Sequence, residues 1–194
     1  MKLVICEGPG DVSVISGLAK ASGLTDMSFE YYGGRNKLEA FLRELPKRPD
    51  FTRREVESLA VTIDAEQNGA ASWQKVQNAI RQGFGIELTT RSVFQGDSPK
   101  IGGFVIAGSD DKGMLEDLCL ASVQDKPGFP CLAEYFRCLV EKTERKEYHA
   151  KAKFRAWMAS QSDFELHAGK AADKGYLPWD SAAFDSLRQF LKAL

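Results

Sequence analysis

Four carboxylates stand where chemistry could be done. Glu7 follows the apolar run LVIC, Asp11 comes four residues later in EGPGD, and Asp64 and Glu66 follow SLAVTI in the segment TIDAEQNG. An acid at the end of a buried strand costs stability unless it is solvated, hydrogen-bonded or holding a cation. Neighbouring parallel strands lie ~4.8 Å apart, so Glu7, Asp64 and Glu66 converge within metal-bridging distance if their two strands are adjacent. Hard oxygen donors without soft ligands suit Mg²⁺ or Mn²⁺. The ordinary alternative is that these are solvated acids at strand ends, with Asp11 serving as a helix N-cap.

Other chemistries are poorly supported. His149 and His167 are too few and too distant from the acids for a zinc site. GPGD is not followed by Gly-Lys-Ser/Thr, and neither a G-x-G-x-x-G fingerprint nor a Gly-x-Ser-x-Gly elbow occurs. Cys6, Cys119, Cys131 and Cys138 form no CxxC pair and read as buried, reduced thiols. Trp73, Trp157 and Trp179 read as packing residues.

The elements that must position the acids can be read from periodicity. Apolar strands are predicted at 2–6, 28–34, 58–64 and 102–108. Helices follow at 12–23, 36–45, 70–85 and 113–123. This alternation predicts an α/β fold with a mainly parallel sheet covered on both faces, and ligands bind at the carboxyl ends of such strands. From residue 129 the spacing is helical almost throughout, giving one or two helices, then a loop over 162–180 and a closing helix over 181–194. The organisation is a core over 1–125 and a helical extension over 126–194 packed on it as one compact unit.

In 194 residues, 43% are hydrophobic and 27% charged, which fits one globular core. Lys and Arg (26) nearly balance Asp and Glu (27), so no global field draws polyanions, and a nucleic acid would need a local basic patch or metal ions. The first apolar run is too short for a signal-peptide core, and no stretch approaches the ~20 apolar residues of a membrane span. A cytoplasmic protein with no membrane partner is expected; the oligomeric state is left open.

ICEGPGD followed about 55 residues later by TIDAEQNG resembles the TOPRIM domain, with a glutamate after the first strand and Asp-x-Asp after a later one. Glu-Gly-x-x-Asp is most similar to the overcoming-lysogenization-defect nucleases. With GMLEDL and KAKFRAWMAS, the whole chain resembles small stand-alone TOPRIM-like proteins of unknown function. The resemblance implies a Rossmann-like TOPRIM fold. It also implies metal ligation by Glu7, Asp11, Asp64, Glu66 and Glu116, with Glu7 as ligand or general acid/base and Lys151 beside the scissile phosphate; Lys153 is the alternative if the register shifts by two. Glu66 stands where the family has aspartate, one methylene shorter.

The function so implied is Mg²⁺- or Mn²⁺-dependent phosphodiester hydrolysis on DNA or RNA. The alternative is a catalytically silent TOPRIM-fold module that binds a phosphate, a nucleotide or a protein partner. A phosphotransfer or phosphatase-like enzyme acting on small molecules is a weaker third. The nucleic-acid reading asks that Lys142, Arg145, Lys146, Lys151, Lys153 and Arg155 share a surface with the acids. The residue-level alternatives are a solvated helix face for Glu116 and a wet helix surface for Lys151.

Overall fold

The computed structural model describes residues 1–144, 147, 149–163, 170–171 and 174–194. Arg145, Lys146, His167 and parts of the 162–180 loop lie outside the described residues. Four strands, β1 (Lys2–Cys6), β2 (Met27–Tyr31), β3 (Ser58–Asp64) and β4 (Lys100–Ile106), form one sheet in the order β2-β1-β3-β4. Every pairing is parallel. Among the described residues the α-helices with both ends defined are α1 (Pro9–Ala21), α2 (Leu38–Glu44), α3 (Pro49–Thr52), α4 (Gly69–Phe84), α5 (Leu115–Val123), α6 (Phe129–Thr143), α7 (Ala150–Ala159) and α8 (Asp185–Ala193). This is the Rossmann-like α/β architecture expected from the sequence, with a helical C-terminal part.

Strand alternation divides the core in two. Val4, Cys6, Ala60, Phe104 and Ile106 face one side, packed with Ile15 and Leu18 of α1, Cys119 of α5, Phe154 and Trp157 of α7, and Phe190 of α8. Leu3, Ile5, Leu59, Val61, Ile63 and Ile101 face the other, against Leu38 and Leu42 of α2 and Val76, Ala79 and Ile80 of α4. A sheet covered on both faces explains why the strands read as continuous apolar runs rather than alternating ones. The C-terminal helices α7 and α8 thus complete the same apolar cluster as β1 and α1.

Three local differences from the sequence-based expectation have physical reasons. β4 begins and ends two residues earlier than predicted, its start extended by the Lys100 N–H donating to the Glu57 carbonyl at 2.9 Å and the Ile101 N–H to the Gln95 carbonyl at 2.8 Å; Gly102 and Gly103 lie inside it as expected, where a Cβ at Gly103 would come 2.8 Å from Trp73 and Val76. β2 stops at Tyr31, and Gly33 and Gly34 turn away with φ of 81° and 109°, in the left-handed region that suits glycine. Cys131 and Cys138 are exposed rather than buried, since α6 contributes only Phe136 to the buried set; Cys6 and Cys119 are buried as expected.

Candidate functional site: an acidic edge of the sheet

All four strands are parallel, so β1 and β3 end at the same edge. The Ile5↔Val61 register, continued, sets Glu7 level with Ile63, one residue before Asp64, so both acids leave the sheet at this edge. The chain after β1 is tied down through Glu7. Its main-chain carbonyl accepts N–H groups of Gly33 and Gly34, each at 3.0 Å, and Oε1 accepts the Arg35 N–H at 3.1 Å. Oε2 of the same carboxylate is buried and has no hydrogen-bond partner among the described residues.

Asp11 is not the N-cap that its position suggests. Gly8 caps α1, and Asp11 is the third helical residue, whose Oδ2 reaches back to accept the Gly8 N–H at 2.7 Å. α5 repeats the device: Asp117 Oδ2 accepts the Met114 N–H at 2.8 Å. Glu116 therefore sits in the first turn of α5, not mid-helix, and its side chain is only 17% exposed. Lys151 Nζ, at the start of α7, stands 3.5 Å from Glu116 Oε1. Lys153 instead pairs with Glu147 at 3.8 Å.

Asp64 ends β3 and accepts the Leu115 N–H through Oδ1 at 3.0 Å, which joins the β3 end to the start of α5. Burial first, then repulsion from Asp11, Glu116 and Glu7, pushes its carboxyl up to about 8, against a lowering from the Leu115 N–H. Burial likewise pushes Asp11 up to about 6, opposed by the Gly8 N–H and reinforced by Glu116 and Glu7. Four carboxylates from the ends of two strands and the starts of two helices thus crowd one another in a half-buried site.

Glu66 is placed differently. Its backbone takes φ 52° and exchanges two 2.7 Å hydrogen bonds with Gly113, and its side chain is 50% exposed. Oε2 lies 3.7 Å from Arg35 Nη1.

Arg35 is the functional residue that the sequence reading missed. Its Nη1 donates to the Asp64 main-chain carbonyl at 2.9 Å and its Nη2 to Ser72 Oγ at 2.8 Å, while its backbone N–H holds Glu7. One residue thereby fastens the ends of β1 and β3 and the start of α4 together. The only sequence signal was an arginine directly after the strand-ending GG pair.

Among the described residues, no three His, Cys, Asp or Glu side chains are grouped closely enough to form a ready-made metal cage. Yet the donor set suits a hard cation. A divalent ion would relieve both the orphaned, buried Glu7 Oε2 and the mutual repulsion of Asp64, Asp11, Glu116 and Glu7.

Of the basic residues, Lys151 and Arg155 line one cavity with Asp11 and Glu116. Lys153 borders a separate groove beside α6, and Lys142 lies at the far end of α6. Cys6 is pushed up to about 12 by burial, which keeps it a neutral packing group rather than a nucleophile. No described helix is long and apolar enough to cross a membrane.

Among curated proteins, none matches this chain. Among solved structures, the chain is similar to the C-terminal region of the Xanthomonas campestris pv. campestris OLD protein. The form phased with platinum is 10% identical at a TM-score of 0.49, covering 98% of this chain and 91% of that one. The forms phased with mercury and iodine are 10% and 12% identical at the same TM-score, covering 98% of this chain and 94% and 93% of theirs. Over residues 1–194 the chain matches the family described as "Protein of unknown function (DUF3226)", and it belongs to that family.

Proposed function

We propose that the acidic edge holds Mg²⁺ or Mn²⁺ and hydrolyses phosphodiester bonds in nucleic acid. The observation that carries this reading is the convergence of Glu7, Asp11, Asp64 and Glu116, with one buried carboxylate oxygen left unpartnered and a lysine 3.5 Å from the cluster. Glu7, Asp11, Asp64 and Glu116 would hold the metal. When bound, the metal would polarise a phosphate oxygen and lower the pKa of a coordinated water.

The residues themselves do the rest. Asp64 must lose its proton to act as a donor, and its bond from Leu115 keeps one oxygen oriented while the other stays available. Asp11 is aimed by its bond from Gly8. Lys151, 56% exposed beside Glu116, can shift to a phosphate and offset charge developing on it. Arg35 keeps the two strand ends in register and is a positioning residue.

A second reading has its own observation. Glu66 is drawn toward Arg35 and is half exposed, so it supports a module that binds a metal-phosphate group without turnover. Incubating labelled single- and double-stranded DNA and RNA with the protein and Mg²⁺ or Mn²⁺, beside Asp64→Ala and Glu66→Asp, separates the two. Metal-dependent cleavage lost in Asp64→Ala supports hydrolysis. Metal binding with no cleavage in the wild type, and cleavage only in Glu66→Asp, transfers the assignment to the binding module.

A further inference from the structure

We infer that the cavity between α1, α5 and α7 receives one unstacked nucleotide of a single-stranded nucleic acid, its base on an apolar floor and its phosphate at Arg155. This rests on the nucleic-acid reading of the acidic edge and extends it to a substrate class. The cavity measures about 310 Å³ and includes Asp11 and Glu116 in its wall, so it opens directly beside the carboxylates.

Its floor is made by buried side chains, Val14, Leu115, Cys119, Phe154 and Met158. The Cys119 thiol, pushed well up by burial, is neutral and adds to this apolar surface. The exposed rim carries Lys151 and Arg155, one helical turn apart on α7 and therefore on one face. Lys151 is engaged by Glu116, whereas Arg155 makes no ion pair among the described residues. The remaining side is the start of α1, where Pro9 and Gly10 leave the mouth open: a Cβ at Gly10 would meet nothing within 4 Å.

Size and polarity select the ligand. A volume near the lower end of small-ligand sites, roughly 300–1,000 Å³, admits one monomer unit. A base can lay its face on an apolar floor only when it is out of the stack, which is the state of a single strand or a flipped nucleotide. Duplex binding draws instead on an extended basic surface, and the formal charge of this chain is −1. The apolar floor and an arginine with no ion pair among the described residues together match a base and its phosphate rather than a duplex backbone.

The test is fluorescence anisotropy with a labelled 20-nucleotide single strand and its blunt duplex, on the full chain with and without Mg²⁺. Gly10→Phe fills the mouth and Arg155→Glu reverses its charge; melting temperatures report whether each variant is folded. The expected result is binding of the single strand at least tenfold tighter than the duplex, weakened at least tenfold by either folded variant. Equal affinity for strand and duplex, or unchanged strand binding in both variants, overturns the inference. So does a nucleoside monophosphate that binds as tightly as the strand, which would mark a small-molecule site. Cleavage is not the readout, so failure of metal-dependent hydrolysis removes the catalytic assignment and leaves a strand preference standing. Loss of that preference removes the pocket even if hydrolysis occurs.

Discussion

Asp64 Oδ1 accepts the main-chain N–H of Leu115 at 3.0 Å, across 51 residues of sequence. This bond ties the end of β3 to the first turn of α5 and brings the Glu116 carboxylate to the sheet edge where β1 is followed by Glu7 and β3 ends in Asp64. The site is therefore assembled by the same contact that docks a helix, and its charge repulsion is built into the fold.

That repulsion gives a pH dependence with a definite sign. The folded-state pKa of Asp64, about 8, lies above the ordinary carboxylate value of 3.8, so the native state binds more protons than the unfolded state in between. Stability is greatest below about pH 4 with respect to this group and is lost as pH rises through 8. Asp11, at about 6, adds to the fall over the lower part of that window. Asp64→Asn, which keeps an acceptor for Leu115, should flatten the profile and raise the melting temperature at pH 8.5 without metal by ~5–10 °C, a few kcal/mol in a chain this long. A variant that melts below the wild type at pH 8.5 would mark the carboxylate as stabilising.

Metal should reverse the effect. At pH 8, Mg²⁺ or Mn²⁺ at 100 times its dissociation constant should raise stability by ~2.7 kcal/mol. The gain should shrink toward pH 5, where Asp64 and Asp11 hold protons. Isothermal titration at pH 5 and pH 8 checks this directly, and affinity that does not change with pH excludes these two groups as ligands.

Arg35→Ala should destabilise the fold by ~2–4 kcal/mol. It leaves the Asp64 carbonyl without its charged donor and removes the link to Ser72. Arg35→Lys should recover little, because an ammonium cannot reproduce the two-pronged fork. Chemical denaturation measures both, and full recovery by lysine would show that charge alone matters.

Lys151→Ala should lower turnover ~100-fold or more with little change in melting temperature, since the side chain is exposed and its ion pair contributes little. Lys153→Ala, whose partner is Glu147, should leave turnover within about twofold. Equal effects of the two would reduce Lys151 to general surface charge.

Asp117→Ala serves as a structural comparison. It removes the acceptor of the Met114 N–H and should cost ~1 kcal/mol, with metal affinity unchanged. A drop in metal affinity would place Asp117 in the ligand set.

Much of this architecture is written locally. Runs such as KLVIC and SLAVTID are long enough and apolar enough to be buried strands, and helical spacing between them leaves parallel pairing as the simplest way to cover both faces. The placing of Glu7 and Asp64 at strand ends follows from the same runs, because an acid interrupts each at its carboxyl side. What no local pattern carried was the partner of each acid. Asp11 reads as a cap from its type, yet it sits three residues inside α1 because Gly8, with φ −142°, takes the extended cap conformation and leaves an N–H for it. Glu116 and Lys151 lie 35 residues apart and meet only because α5 and α7 pack in one apolar cluster. Arg35, unremarkable in sequence, becomes the fastening of the site because β1 and β3 are neighbours and Gly33 and Gly34 turn the chain back over Glu7. Hydrophobic periodicity is a property of a dozen consecutive residues, whereas the direction of a hydrogen bond or a Coulomb field depends on which elements dock, and docking is decided by the whole core at once.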